Sequence, residues 1–174
     1  SVQKVYELFT KNGENVENDH IAFRTFSDSR LNVERLAKIF ESVGYEAKEH
    51  YHFKEKKLRA IHFENNNIAN SPRVFISELI LDECSEYLRE IIKSLIDRIP
   101  VKEFDSKDLL FKGNIWGKPD YSVYEKIRQE SEYAAWLYVY GFRANHFTVS
   151  INSLKKFETI EKVNQLLKEN GFLL

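Results

Sequence analysis

The sequence contains one cysteine, Cys84, and no methionine among its 174 residues. A lone cysteine cannot form a disulfide within the chain and is typical of a reducing compartment, so we expect a cytoplasmic protein. Because Asp82 and Glu83 precede it, their negative charge disfavours the thiolate, and Cys84 is not expected to be a nucleophile. Since the sequence begins at Ser1 and lacks methionine, we expect it to be a fragment of a longer protein.

Neither charge of one sign nor apolar residues dominate any part of the sequence. Lys and Arg number 26 and Asp and Glu number 27, which leaves a formal net charge of −1 at pH 7. This balance argues against a nucleic-acid partner, which would require a basic face. No apolar run approaches the ~20 residues of a membrane-spanning helix, so no membrane partner is expected. Glycine-rich phosphate loops, GxSxG and CxxC motifs are also absent from the sequence.

Hydrophobic periodicity predicts the secondary structure. The predicted strands are 19–26, 47–53, 58–63, 73–80 and 144–151. The predicted helices are a short N-terminal helix ending at Gly13, then 29–43, a helix after residue 81 that ends before Pro100, 121–133 and 157–170. The stretch 101–120 is expected to be irregular.

Two parts of the sequence follow one pattern. When DHIAFRTF is placed over NHFTVSIN, His20 coincides with His146. One residue further on, the helices also match: Val33 meets Ile160 and Gly44 meets Gly171. Each strand opens with an Asp-His or Asn-His pair. This agreement predicts a duplicated strand–helix module.

A duplicated strand–helix–three-strand module is the vicinal-oxygen-chelate, or glyoxalase-like, pattern. We therefore predict an α+β fold of βαβββ modules with inserted helices, the second module being incomplete in this chain. The predicted parts of this single catalytic domain are an N-terminal helix (1–16), a first module (17–80), a helical insertion (81–142) and the start of a second module (143–174).

The repeat makes His20 and His146 candidate metal ligands. In this pattern the first strands of both modules line a shared cavity, so residues at equivalent inward positions converge. Two neutral imidazoles can then bind one divalent ion, and a third ligand, normally a carboxylate, completes a facial triad with open positions. For a single histidine, a core or surface position without a metal is the usual interpretation; the repeat favours ligation here.

Other polar residues have more than one interpretation. Arg24 shares the strand face of His20 and could bind a substrate carboxylate or form a buried salt bridge. Glu78 lies on a strand with apolar neighbours and could be a metal ligand, pair with Arg24 or orient a ligand. His50, His52 and His62 could form a second metal site, although exposed hairpin histidines are common.

At NDHIAFRTF, FISEL, ESEYAAW and ANHFTVSIN, and over nearly all of its length, the chain resembles the 2-oxoadipate dioxygenase/decarboxylases. The resemblance implies a mononuclear Fe(II) enzyme of lysine breakdown that converts 2-oxoadipate and O2 into 2-hydroxyglutarate and CO2. It also implies that His20 and His146 are metal ligands and that Arg24 is catalytic by binding the 2-oxo diacid. The family's glutamate ligand lies in a later segment, so it is expected beyond Leu174, and the fragment could therefore be inactive.

Two other functions are compatible with the same pattern. One is a glyoxalase-like isomerase or lyase that uses Zn²⁺ or Ni²⁺ as a Lewis acid. The other is a metal-free binding module of this fold. The sequence does not identify the metal, the chain length of the substrate or the oligomeric state.

Overall fold

The computed structural model describes residues 2–174, and no helix in this range is long and apolar enough to cross a membrane. The helices within the range are α1 (Val2–Lys11), α2 (Val33–Glu41), α3 (Glu86–Ile96), α4 (Tyr121–Glu130), α5 (Glu132–Tyr140) and α6 (Ile160–Glu169). The strands are β1 (Asn18–Phe26), β2 (Glu46–Phe53), β3 (Leu58–Glu64), β4 (Arg73–Leu79) and β5 (His146–Val149).

The five strands form one mixed sheet in the order β2-β3-β4-β1-β5. Strand β1 pairs in parallel with β4 and antiparallel with β5. The sheet with its surrounding helices confirms the predicted α+β class. The elements from β1 to β4 follow the strand–helix–strand–strand–strand order expected for 17–80, while the division of the chain into modules stays a prediction.

The alternation of side chains along β1 gives the sheet two different faces. His20, Ala22 and Arg24 lie on one of them, which we call the histidine face. Phe23 and Thr25 lie on the other and are buried in the main core. Helix α2 packs on that second face, against β3 and β4. Burial of the Phe23 side therefore fixes which residues of β1 remain on the histidine face.

Helix α2 is shorter than the predicted 29–43, because the side chain of Asn32 accepts a hydrogen bond from the Arg35 amide and caps its first turn. Asn is among the preferred N-cap residues, since its side chain satisfies an amide that has no partner within the helix. Thr159 caps α6 in the same way, so α6 also begins later than predicted. The matching caps extend the similarity between the two strand–helix units.

The predicted helix over 121–133 corresponds to α4, and a separate helix that was not predicted, α5, follows it. Ser131 has an extended backbone with φ −148°, and its side chain accepts a hydrogen bond from the Ala134 amide as the N-cap of α5. Helix α5 is apolar on nearly all sides and contributes Ala134 and Leu137 to the main core. An apolar residue at almost every position leaves no helical period to detect in the sequence.

A second, smaller core joins the two ends of the chain. It contains Phe9 of α1, Leu154, and Val163 and Leu166 of α6. Beside it, the Glu14 carboxylate accepts hydrogen bonds from the Lys155 and Lys156 amides at 2.8 and 2.7 Å. The bond from the Lys155 amide is the main cause that lowers the pKa of Glu14. Together these contacts hold the segment after β5 in place.

The turn that leads from α5 towards β5 requires glycine. Gly141 has φ 65° and ψ −148°, a conformation that residues with a Cβ rarely adopt. The next residue, Phe142, exchanges two backbone hydrogen bonds with Gly113, of 2.9 and 2.7 Å. A Cβ on Gly141 would overlap the backbone of Gly113 and Asn114. The close approach of these two segments therefore sets the path of the chain into β5.

We expect Gly141→Ala to lower the free energy of unfolding by about 3 kcal/mol or more, because backbone strain and steric overlap add. Urea unfolding monitored by circular dichroism measures this loss. Gly117→Ala is the matched control: Gly117 has φ 109° but nothing within 4 Å of an added Cβ, so only strain should contribute. Equal losses in the two variants would contradict a role for the contact with Gly113.

Candidate metal centre

The pairing of β1 with β5 brings together the two histidines of the repeat. Ala22 lies opposite His146, and His20 lies opposite Thr148. The Nε2 atoms of His20 and His146 are 3.3 Å apart, and both rings lie on the histidine face. This confirms the predicted convergence of the two imidazoles.

Each histidine is oriented through its other ring nitrogen by the residue that precedes it. Asp19 Oδ2 is 2.9 Å from His20 Nδ1, and the Asn145 amide nitrogen is 2.9 Å from His146 Nδ1. Thr148 Oγ1 also lies 2.9 Å from His20 Nδ1. A hydrogen bond at Nδ1 fixes the ring and determines which tautomer is present, as the outer partners of metal-bound histidines do.

The proton positions of the two rings depend on what lies between them. The contacts are all satisfied when Asn145 donates to His146 Nδ1, His146 Nε2–H donates to His20 Nε2, and His20 Nδ1–H donates to Asp19. Ligation of one ion through both Nε2 atoms requires the His146 proton on Nδ1. The Asn145 amide, turned by half a rotation, would then accept it through its oxygen.

The two imidazoles fit the geometry of a shared metal ion. Histidine nitrogens bind such ions at about 2.1 Å, so two ligands at an angle of about 90–110° stand roughly 3.0–3.4 Å apart. The observed separation of 3.3 Å lies in that range. The donor set is also suitable, because neutral imidazole is the commonest protein ligand of transition metals.

The surroundings of His146 favour the neutral form that binds metals. Burial is the first cause that lowers the pKa of His146, followed by the positive charges of His20 and Arg24. Arg24 is near enough to lower the pKa of His146, because Ala22, the pairing partner of His146, lies between His20 and Arg24 on the histidine face.

Arg24 lies on the histidine face, four residues after His20 and about 13 Å along the strand at ~3.3 Å per residue. Its guanidinium carbon is 4.8 Å from the centre of the Tyr133 ring and 4.9 Å from that of Trp136. Among residues 2–174, no carboxylate is in ion-pair contact with it, and burial lowers the pKa of Arg24. A cavity of about 570 Å³ opens beside it. The alternative of a buried salt bridge with Glu78 is therefore not what the structure has.

Glu78 is not brought to the two histidines. It is opposite Thr25 in the register of β1 and β4, and therefore on the face away from His20. Its side chain is fully buried, with 0% exposure. One carboxylate oxygen accepts from Arg59 Nε at 2.6 Å, and the other accepts from the Val33 amide at the start of α2, at 2.7 Å. The two oxygens thus connect β4 to its neighbour β3 and to the start of α2.

The other histidines do not assemble into a second site. His50 and His52 share the face of their register partners Ile61 and Arg59, whereas His62 lies on the histidine face opposite Phe75. His62 is buried, stacks on the Phe75 ring and contacts the Tyr51 hydroxyl at 3.0 Å. In the part of the chain that the structure describes, no group of three or more His, Cys, Asp and Glu residues could hold a metal ion. These residues therefore contain two ligands of a possible triad, and no third ligand lies beside them.

Three residues of this region were not singled out in the sequence. Thr148 contacts His20 through the hydroxyl, and Tyr133 and Trp136 flank Arg24. Thr148 could have been found from the repeat, as it lies two residues after His146 on the same strand face. Tyr133 and Trp136 fall in the ESEYAAW stretch, but no local pattern connects that stretch with Arg24.

The fold and the paired histidines define a class of protein: a glyoxalase-like sheet with one histidine on each of two adjacent strands. A crystal structure of a protein named as a glyoxalase-superfamily member, from Ralstonia eutropha, superposes with a TM-score of 0.71 over 97% of this chain and 61% of that chain, at 17% identity. At this identity the likeness shows the fold alone, and it confirms the predicted glyoxalase-like architecture.

The particular family follows from closer relatives. The family model of the 2-oxoadipate dioxygenase/decarboxylases matches residues 3–174, and the chain belongs to this family. The chloroplastic 2-oxoadipate dioxygenase/decarboxylase of Arabidopsis thaliana is 36% identical over 168 residues, which cover 90% of this chain and 45% of that protein. The hydroxyglutarate synthase of Oryza sativa, crystallised with 2-oxoadipate, is 35% identical with a TM-score of 0.89, over 98% of this chain and 59% of that chain.

The chain spans about half the length of the curated relatives that it matches. The family and the fold are thus established for these 174 residues.

We expect Glu78→Gln to lower the free energy of unfolding by about 1–3 kcal/mol, because a buried, charge-assisted hydrogen bond to Arg59 is lost. The affinity of the full-length protein for a divalent metal ion should change little, because Glu78 does not reach the two histidines. Urea unfolding and metal titration measure the two quantities. Unchanged stability together with a large loss of metal affinity would contradict the structural role of Glu78 and indicate that it is a metal ligand.

Proposed function

We propose that the full-length protein is an Fe(II)-dependent dioxygenase/decarboxylase that converts 2-oxoadipate and O2 into 2-hydroxyglutarate and CO2. The observation that carries the proposal is the 3.3 Å approach of His20 and His146 in a chain that belongs to this family. The reaction is balanced: the carboxylate next to the keto group leaves as CO2, one oxygen atom of O2 converts the former keto carbon into a new carboxylate, and the other enters the shortened acid as its hydroxyl group.

His20 and His146 are the proposed protein ligands of the iron, through their Nε2 atoms. Bound Fe(II) would supply the redox chemistry that activates O2 and a binding place for the 2-oxo acid group. Asp19 and Thr148 would hold the His20 ring with its proton on Nδ1, and Asn145 would do the same for His146. We place the third ligand, a carboxylate, outside residues 2–174, since no third candidate joins the two histidines within that range.

Arg24 is the proposed partner of the substrate's distal carboxylate. A carboxylate that enters a half-apolar cavity loses hydration, and its burial is favourable only with a charge-assisted partner. Arg24 fits this role because it lies on the histidine face, has no carboxylate partner among the described residues and borders a cavity of about 570 Å³. Its planar guanidinium can bind both carboxylate oxygens together.

The wider context of the reaction is also a proposal. Lysine breakdown is the pathway that the family resemblance implies for a 2-oxoadipate enzyme. A reducing, cytoplasmic location rests on the single buried cysteine, Cys84, whose thiol pKa is raised by burial. The plant relative from Arabidopsis thaliana is named as chloroplastic.

The direct test is oxygen uptake by the full-length protein loaded with Fe(II), measured with an oxygen electrode. We expect uptake and CO2 release with 2-oxoadipate, in equal amounts, and weaker responses with shorter and longer 2-oxo diacids. His20→Ala and His146→Ala should lose both bound iron and uptake. An active protein that consumes a substrate without oxygen, or with Zn²⁺ or Ni²⁺ in place of iron, would instead indicate a glyoxalase-like isomerase or lyase.

Arg24→Ala should leave iron bound but reduce kcat/KM for 2-oxoadipate, because the distal carboxylate loses its charged partner. A loss on the order of 2–5 kcal/mol corresponds to roughly 30- to 5,000-fold. Arg24→Lys should recover only part of the activity, since an ammonium group cannot bind both oxygens in the same plane. Iron content measured beside turnover is the control. Loss of iron in Arg24→Ala would mean that Arg24 is structural, and full activity would mean that the diacid is held elsewhere.

A further inference from the structure

Arg24 is held by aromatic rings rather than by a counter-charge. Its guanidinium carbon lies 4.8 Å from the centre of the Tyr133 ring and 4.9 Å from that of Trp136, both within the range of cation–π attraction. We call these two residues the aromatic clamp. No carboxylate among residues 2–174 forms an ion pair with Arg24. Ring faces attract the cation without using its N–H groups, which therefore remain available to an anion.

The Tyr133 side of the clamp is fixed to the strand that carries Arg24. The Tyr133 hydroxyl donates to the Ser77 carbonyl at 2.7 Å and accepts from the Thr25 amide at 3.1 Å. Thr25 is the neighbour of Arg24 on β1, and Ser77 is the register partner of Arg24 on β4. These bonds set the distance between the Tyr133 ring and the Arg24 backbone.

The Trp136 side of the clamp separates two cavities. Its ring borders the cavity of about 570 Å³ beside Arg24 and also the outer cavity of about 600 Å³ between α4 and α5. Trp136 and Tyr133 are on consecutive positions of one face of α5, three residues apart, so both rings point towards Arg24. Loss of the Trp136 ring would open one side of the clamp.

We propose that Tyr133 and Trp136 are positioning residues that hold the Arg24 guanidinium in the orientation that selects a 2-oxo acid with a second carboxylate. The inference rests on the proposed function, and it adds a task for α5 that neither the histidines nor Arg24 performs. An arginine side chain has many rotamers, and bidentate binding of a carboxylate needs the guanidinium plane in one orientation. The clamp supplies that orientation before the substrate arrives.

The inference predicts a specific pattern of kinetic effects. Weakening the clamp leaves the charge of Arg24 in place but loosens its orientation, so KM for the diacid should rise more than kcat falls. The contribution of a partly buried cation–π contact corresponds to roughly 3- to 30-fold in affinity. A 2-oxo monoacid has no distal carboxylate, so its binding should not depend on the clamp.

The experiment compares variants of the full-length, iron-loaded protein with 2-oxoadipate as substrate and 2-oxohexanoate as competitive inhibitor. Trp136→Leu should raise KM for 2-oxoadipate about tenfold, with kcat within about threefold of wild type, and leave the inhibition constant of 2-oxohexanoate unchanged. Trp136→Phe keeps a ring and should recover most of the affinity. Tyr133→Phe keeps the ring but removes its hydrogen bonds, so a smaller rise in KM is expected.

The control is Tyr121→Leu. Tyr121 is an aromatic residue of α4 that borders the outer cavity and is 75% exposed. Its replacement should leave the KM for 2-oxoadipate and the inhibition constant of 2-oxohexanoate unchanged. If Trp136→Leu does not fold, Tyr133→Phe provides the test, because it should still raise KM measurably.

Two results would overturn the inference. One is an unchanged KM for 2-oxoadipate in the clamp variants. The other is an equal rise in the diacid KM and the monoacid inhibition constant, which would indicate a general structural role. A wild-type protein that turns over no 2-oxo diacid would overturn the proposed function together with this inference, whereas the first two results would leave the proposed function intact.

Discussion

The antiparallel pairing of β1 with β5 is the constraint on which the candidate metal centre depends. His20 and His146 are separated by 126 residues in the sequence, and a four-residue strand brings them together. So short an edge strand is held weakly by its own hydrogen bonds. The second core between α1 and α6, and the Glu14 carboxylate bound to the Lys155 and Lys156 amides, hold the chain just after β5. The free energy of these contacts helps to offset the entropy cost of closing so long a loop.

The two faces of β1 carry different kinds of residues: one face packs in the core, and the other carries the candidate site. Charges on the core side are matched: Glu78 is fully buried, and both of its oxygens accept hydrogen bonds. On the histidine face, Arg24 has no such partner in the described chain. A buried charge is tolerated when it is paired, and a half-buried charge without a partner favours an incoming anion. A shift of one residue in register would exchange the two sets, so core packing also protects the site.

The sequence predicted the convergence of the histidines because a strand alternates with period two and the repeat supplies two equivalent positions. It could not decide the role of Glu78. That role depends on the register of the parallel pair β1 and β4. Because α2, β2 and β3 lie between these strands in the sequence, no short turn fixes their register. Most of helix α5 was missed in the prediction for a different reason: without an amphipathic period, only the Ser131 cap marks its start. The aromatic residues around Arg24 were missed with it.

The histidine face brings His20, His146 and Arg24 near one another, and their interaction suits both a metal and an anion. The positive charge of Arg24 helps to lower the pKa of His146, after burial and His20, and so favours the neutral imidazole that ligates metals. In the proposed function, that same charge would attract the distal carboxylate of the substrate. Since the guanidinium is balanced by ring faces and not by a fixed carboxylate, the charge remains available to a substrate. A protein carboxylate at the position of the clamp would neutralise Arg24, which would then neither lower the pKa of His146 nor attract another carboxylate. This is a physical reason for aromatic residues in that place.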